Sequence, residues 1–207
     1  IIGQMGQSLD GRIATESGSS HFVTGAEDLK RLHRLRALVD AVLVGANTAQ
    51  ADDPQLTVRE VDGDNPVRVI LDPADRLGPD LGVFTDKAAR TLVVHRAASY
   101  TDQAEIIGDE VLVPELETGS LDLTALVQAL GARGLRRVLV EGGGVTVSSF
   151  LRAGLLDRLH VTVAPMLIGS GRPSITLDPI ETLDMAIRPK CRHFRLGADI
   201  LFDLDLR

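Results

Sequence analysis

The residues with the clearest chemical potential are Val140-Glu141-Gly142-Gly143-Gly144, a carboxylate at the end of an apolar run followed by three glycines. Residues 145–153 then read as a helix, so the glycines form the turn at its N-terminus. Backbone N–H groups without intrahelical partners point out of such a terminus. The helix dipole adds positive potential there, and glycine lets a phosphate approach the main chain closely. The same residues equally suit a tight strand-to-helix turn that binds nothing, with Glu141 a solvated acid at a strand end. The spacing is not the dinucleotide fingerprint G-x-G-x-x-G, because Val147 stands where the third glycine belongs. The following strand, 159–164, also ends in Ala164-Pro165 rather than in the acid that binds a ribose. A Walker phosphate loop fails for want of Gly-Lys-Ser/Thr.

Two further groups could carry chemistry. Ala51-Asp52-Asp53-Pro54-Gln55-Leu56-Thr57-Val58-Arg59 joins paired acids to a distal cation. Alone it suits a bland turn, and the scattered histidines give the acids no metal-ligand spacing, so no metal site is expected. Ser8-Leu9-Asp10-Gly11-Arg12 lies near the end of the first strand, where Asp-Gly is a common turn dipeptide. Arg36 belongs to a cationic stretch with Lys30, Arg31 and Arg34, most of which suits a solvated helix face.

The elements that would position these groups follow from periodicity. Thr24-x-x-Glu27 has the form of a capping box, and Leu29, Leu32, Leu35, Leu38 and Val39 make a helical apolar stripe after it. Short apolar runs at 41–45, 67–71, 91–95, 111–113, 138–140 and 159–164 read as strands. Ser120 caps a predicted helix carrying Leu123, Leu126, Val127 and Leu130, ended by Gly131 and Gly134. Residues 194–206 read as a hairpin about Gly197-Ala198-Asp199, with Phe202, Leu204 and Leu206 on one face and Asp203 and Asp205 on the other. Strands alternating with helices imply an α/β sheet with parallel neighbours. With no repeat or linker in 207 residues, one domain over 1–207 is expected.

Composition narrows the function classes. A net charge of −7 without a basic run disfavours nucleic acid and anionic membrane as partners. A single cysteine, Cys191, rules out an intrachain disulfide framework and points to a reducing cytoplasm. No stretch is apolar over enough residues to span a bilayer. The sequence opens on Ile1 rather than Met, so the natural chain is expected to extend further at that end.

Taken in order, Ser-Leu-Asp-Gly-Arg, then Asp-Asp-Pro-x-Leu-Thr-x-Arg, then Val-Glu-Gly-Gly before a helix resembles the reductase domain of the riboflavin-biosynthesis pyrimidine reductases. Ala164-Pro165-Met166-Leu167-Ile168-Gly169 looks like that family's stretch after the next strand. The resemblance runs from about Gly6 to the C-terminus. It implies a dihydrofolate-reductase-like three-layer α/β/α fold, with a mixed, mostly parallel central sheet and a C-terminal antiparallel hairpin. It also implies reduction of a ribosylaminopyrimidine 5′-phosphate to the ribityl compound, with hydride from NADPH to ribose C1′.

Carried over by position, the resemblance places Gly6, Phe22, Thr48 and Asp52 against the cofactor. Gly143, Gly144, Val145, Thr146, Val147, Ser148 and Ser149 fall against its pyrophosphate. Ser20, Arg36, Leu56, Arg59 and Glu141 fall at the substrate, with Asp52 and Glu141 as the catalytic carboxylates. Arg36 and Arg59 can pair with the substrate phosphate and Glu141 can accept from pyrimidine N–H groups. A cytoplasmic homodimer is implied as well. The chain departs from the family pattern at Gln4, commonly Lys, at Pro73, often Ser, and at Phe22, frequently Trp. The residues also lack the His-x-Glu and Pro-Cys-x-x-Cys signature of the companion deaminase. A pterin reductase on the same fold and a non-catalytic NADPH-binding protein are the competing readings.

Overall fold

The computed structural model describes residues 1–20, 23–97, 105–107 and 109–207, with 105–107 described by backbone alone. In chain order the elements are β1 (Ile2–Ser8), β2 (Arg12–Thr15), α1 (Ala26–Leu38), β3 (Ala41–Gly45), α2 (Ala46–Asp52), β4 (Val67–Leu71), α3 (Gly82–Thr85) and β5 (Thr91–Arg96). They continue with β6 (Glu105–Ile107), β7 (Glu110–Val113), α4 (Leu123–Ala132), β8 (Val138–Glu141), α5 (Gly144–Arg152), β9 (Arg158–Ala164) and β10 (Gly171–Pro173). A single 3₁₀ turn, Leu183–Met185, precedes β11 (Lys190–Leu196) and β12 (Asp199–Asp205). The chain divides into two compact units, Ile1–Arg31 with Glu141–Arg207, and Leu32–Val140.

In the first unit β1 lies parallel to β9, with Gln4 opposite His160 and Gly6 opposite Thr162. The hairpin β11–β12 adds antiparallel to β9, and β2 pairs with β10 separately. In the second unit β8, β3, β4, β5 and β7 run parallel in that order, with β6 antiparallel at the edge. Strand β3 is an apolar run buried on both faces, as expected of a parallel strand, and β4 is buried through its centre and apolar save for Arg68. Their side chains Val42, Val44 and Ile70 form a core with Ala49, Leu56 and Val83. Among the described residues no helix is long and apolar enough to cross a membrane.

Several sequence expectations are corrected. Helix α1 begins at Ala26 behind Gly25, one residue past the expected Thr24 cap, and the Gly25 N–H donates to the Asp199 carboxylate at 2.7 Å. Its buried side chains are Asp28, His33 and Arg36, while Leu29 and Leu38 of the expected apolar stripe are exposed. In the hairpin, too, polar residues are inside: Asp199 and Asp203 are buried with Leu201, whereas Ile200 is exposed. One cause explains both. The strand face bearing Gln4, His160, Thr162 and Asp203 is polar, so the elements that meet it present polar side chains. Helix α4 is capped by Asp122 rather than Ser120, its carboxylate accepting from the Thr124 and Ala125 N–H groups.

Arg68 of β4 is the largest fully buried side chain, with 0% exposure. Its Nε donates to the Gln55 carbonyl at 2.9 Å, Nη1 to the carbonyls of Val83, Asp86 and Ala89, and Nη2 to the Asp86 carboxylate at 2.7 Å. A buried cation is tolerable only when so satisfied, and these bonds tie the segment before Leu56 to α3 and its exit. An Arg68→Met variant removes the donors and strands buried acceptors. Urea denaturation should show a loss of about 3 kcal/mol or more, and an unchanged unfolding free energy would contradict this role.

Candidate active site

The groups singled out in sequence fall into two sets, one in each unit. In the first unit the Ser8–Arg12 turn and the 164–169 segment hold each other. The Asp10 carboxylate accepts from Ser8 Oγ at 2.5 Å, from the Ile168 N–H at 3.1 Å and from the Gly169 N–H at 2.7 Å. These bonds, the Ser8 hydroxyl first, lower the Asp10 pKa to about 2. Arg12 Nε donates back to the Gly169 carbonyl, and the Leu9 N–H to that of Met166. The Ser174 N–H in turn donates to the Gly11 carbonyl.

The same 173–176 segment supports the start of α5. A Cβ on Gly144 would run into the carbonyls of Pro173 and Ser174, so this glycine is required by backbone packing. The Thr176 N–H donates to Ser148 Oγ at 2.9 Å. Val147 and Ser148 are therefore turned inward, while Val145 is 75% exposed. Gly143 is the N-cap residue of α5, at the positive end of the helix dipole. Elsewhere in the expected pyrophosphate run, the Thr146 N–H donates to the Gly143 carbonyl at 3.1 Å and the Ser149 hydroxyl to the Val145 carbonyl at 2.9 Å, with Thr146 and Ser149 half-buried. Glu141 is buried at the end of β8. Gly6 is also needed by packing, since a Cβ there would lie 2.6 Å from Thr24 Cγ2. Ser20 is half-buried in the segment after β2, and Phe22 lies outside the described residues. A cavity of about 430 Å³ in the first unit is lined in part by Thr24, the neighbour of Gly6, with Leu29, Pro165 and Met166.

In the second unit Thr48 and Asp52 lie on α2, Thr48 half-buried and Asp52 exposed at its last turn. The neighbouring acid serves the backbone instead, since Asp53, with φ 37°, accepts from the Gly82 N–H at 2.8 Å. Leu56 has φ 55° and is 1% exposed within the apolar core, so only its main chain can meet a ligand. Arg36 and Arg59 converge on one residue that sequence reasoning did not single out. Arg36 Nη1 donates to the Thr57 carbonyl at 3.1 Å and Arg59 Nη1 to the Thr57 hydroxyl at 2.7 Å. The Arg59 N–H donates to Nδ1 of the buried His33 at 3.0 Å. Arg36 is buried while Arg59 is exposed. Two guanidinium groups held on one threonine can grip a phosphate without first being ordered.

Residues 1–202 match the family described as the RibD C-terminal domain. The chain belongs to that family. The 2,5-diamino-6-ribosylamino-4(3H)-pyrimidinone 5′-phosphate reductase of Methanothermobacter thermautotrophicus is 40% identical, with 100% of this chain and 98% of the relative covered. RibD of Acinetobacter baumannii superposes with a TM-score of 0.79 at 29% identity, covering 99% of this chain and 56% of that one. The chain thus spans little more than half of that longer protein. Dihydrofolate reductase from Enterococcus faecalis, with a TM-score of 0.52 at 12% identity, shares the fold alone. The expected fold class, α/β and dihydrofolate-reductase-like with mostly parallel strands and a closing antiparallel hairpin, is the one observed. The relatives are riboflavin-biosynthesis pyrimidine reductases, an oxidoreductase family.

The polar layer of the first unit also contains His160, whose Nδ1 lies 3.2 Å from Arg31 Nη1 and whose Nε2 lies 3.4 Å from the Asp203 carboxylate. Arginine only donates, so Nδ1 accepts and the ring proton sits on Nε2. Burial, then the Arg31 charge, lowers the His160 pKa from 6.5 despite Asp203. Burial alone would raise the Asp203 carboxyl, but hydrogen bonds from Arg192 and Arg158 hold it below its usual range. Because the unfolded chain binds the His160 proton more readily, the stability from neutral His160 is complete above pH 6.5 and declines as pH falls below it. His160→Gln should therefore flatten the pH dependence of the melting temperature between about pH 5 and 7. Equal slopes in the two proteins would contradict the assignment.

Proposed function

We propose that the chain is an NADPH-dependent reductase of a ribosylaminopyrimidine 5′-phosphate, in the 2,5-diamino form named for its full-length relative. The convergence of Arg36 and Arg59 on Thr57 carries this reading, because a phosphate-bearing substrate needs such a pair and a pterin does not. The glycine-capped α5 terminus, at the positive end of its helix dipole, suits a cofactor diphosphate along Gly143–Ser149. Gly6, Phe22, Thr48 and Asp52 are the remaining residues assigned to the cofactor. When bound, NADPH supplies the hydride that reaches ribose C1′ of the ring-opened imine, whose nitrogen takes up a proton.

The protein's own part is positioning and charge management. Arg36 and Arg59 hold the phosphate, while the main chain of Leu56 and the Ser20 hydroxyl orient the substrate. Glu141 accepts from the pyrimidine N–H groups. Asp52 supports proton movement near the reacting carbon. Residues 1–207 act as one reductase domain, working as a cytoplasmic homodimer. The exposed Phe194 and Ile200 of the closing hairpin favour a self-association surface. Light scattering should accordingly return twice the chain mass, and a monomer at working concentration would remove that part of the reading.

Oxidation of NADPH should be followed with the 2,5-diamino substrate, with its deaminated uracil counterpart and with dihydrofolate. Turnover is expected for the diamino pyrimidine. An Arg59→Met variant, chosen because Arg59 is exposed, should raise the KM for it about tenfold or more while leaving the cofactor KM in place. Turnover of dihydrofolate alone, or NADPH binding without oxidation of any substrate, overturns the proposal.

A further inference from the structure

Residues 53–66 form neither helix nor strand, so no sheet ladder holds the stretch that carries Thr57 and Arg59. Side chains hold it instead. Helix α1 supplies two of them three residues apart, a spacing that puts both on one helix face. Arg36 Nη1 donates to the Thr57 carbonyl at 3.1 Å, and His33 Nδ1 accepts from the Arg59 N–H at 3.0 Å. Between them the Val58 N–H donates to Asn65 Oδ1 at 2.7 Å, and Asn65 Nδ2 donates in turn to the Ala88 carbonyl. The same loop comes down on α1 at Gly63, where a Cβ would lie 2.5 Å from that of Ala37.

His33 is 1% exposed, whereas Arg59 lies at the surface. Water can satisfy the N–H of an exposed residue, so stability alone does not call for a buried imidazole there. What the bond adds is register: α1 offers a donor to the carbonyl of residue 57 and an acceptor to the N–H of residue 59, and a slip of one residue loses both. An accepting Nδ1 must be bare, so the neutral ring carries its proton on Nε2. We propose that His33 is a positioning residue for the substrate phosphate, its bare Nδ1 fixing the Arg59 main chain from which the guanidinium reaches that group. The assignment rests on the function proposed above. An arginine on an unanchored loop loses main-chain and rotamer freedom when it grips an anion. Here the main chain is held from α1, and Nη1 rests on the Thr57 hydroxyl at 2.7 Å, before any ligand arrives. Because this contribution passes through Arg59, it is confined to ligands that carry the phosphate.

Asparagine places Oδ1 where imidazole has Nδ1, whereas glutamine places its amide near Nε2, so the two variants separate the acceptor atom from the bulk of the ring. His33→Gln should raise the KM for the phosphorylated pyrimidine about fivefold or more and leave the cofactor KM in place. His33→Asn should restore most of that loss. The dephosphorylated riboside, read by its inhibition constant, should bind the unaltered protein and the glutamine variant alike. In an Arg59→Met background His33→Gln should add less than about twofold, since the group it positions is gone. Nitrogen-15 shifts of the unaltered protein, which need no variant to fold, should show a neutral His33 protonated at Nε2. A neutral ring with its proton on Nδ1 overturns the assignment, as does a wild-type pyrimidine KM in the glutamine variant. A loss that asparagine does not restore, or an equal loss for the riboside, overturns it too. Absence of turnover by the unaltered protein removes the proposed function and the phosphate role together, whereas turnover with any of those results removes the role of His33 alone.

Discussion

A guanidinium removed from water must find an acceptor for nearly every N–H it carries, and each unit of this chain is organised around one that does. In the second unit Arg68 draws in the carbonyls of Gln55, Val83, Asp86 and Ala89. Leu56 follows directly, in a left-handed conformation that costs about 1 kcal/mol or more for a residue with a side chain. Burial of the same leucine in the apolar core offsets that cost. The segment leading to Thr57 and Arg59 thus has little freedom left. In the first unit Arg31 plays the corresponding part with Asp28, Gln4 and His160.

Ligand-facing groups in this chain are consistently one bond removed from such a fixed point. Thr57 is the meeting place of Arg36 and Arg59, and His33 holds the main chain of Arg59. Asp10 joins the Ser8–Arg12 turn to the 168–169 main chain, and the segment beyond it bears on Gly144. Little of the side-chain entropy that binding usually costs is left to lose at these places.

Much of the fold was legible because the parallel strands are short apolar runs: β3 and β4 occupy the residues expected of them. Periodicity misled where apolar did not mean inside. In α1 the leucine stripe marked a face that is partly exposed, and Asp28 and His33 are buried instead, as are Asp199 and Asp203 of β12. No window along one element could reveal this, since the partners Gln4, His160 and Thr162 lie on other strands. The motif residues were found because their types are unusual in combination. Asp53 and Thr57 were seen in their motif but not their bonding, and Arg68 was not singled out, because an acid before proline, a threonine and a lone strand arginine have ordinary solvated explanations. Only the fold supplies their partners.

Gly144 carries a consequence for comparing related chains. Its place in the glycine run looks like an adaptation to phosphate, yet the carbonyls of Pro173 and Ser174 forbid a side chain there whatever is bound. Gly6 against Thr24 and Leu56 in the apolar core are under the same kind of demand. A descendant that had lost its reaction would still meet these packing demands, most firmly at Gly144, where the neighbours are main-chain carbonyls. Retention of the glycine turn and of the leucine in Asp-Asp-Pro-x-Leu therefore reports an intact scaffold. The exposed Arg59, which no such packing demand fixes, is the residue whose loss would mark a chain turned to other work.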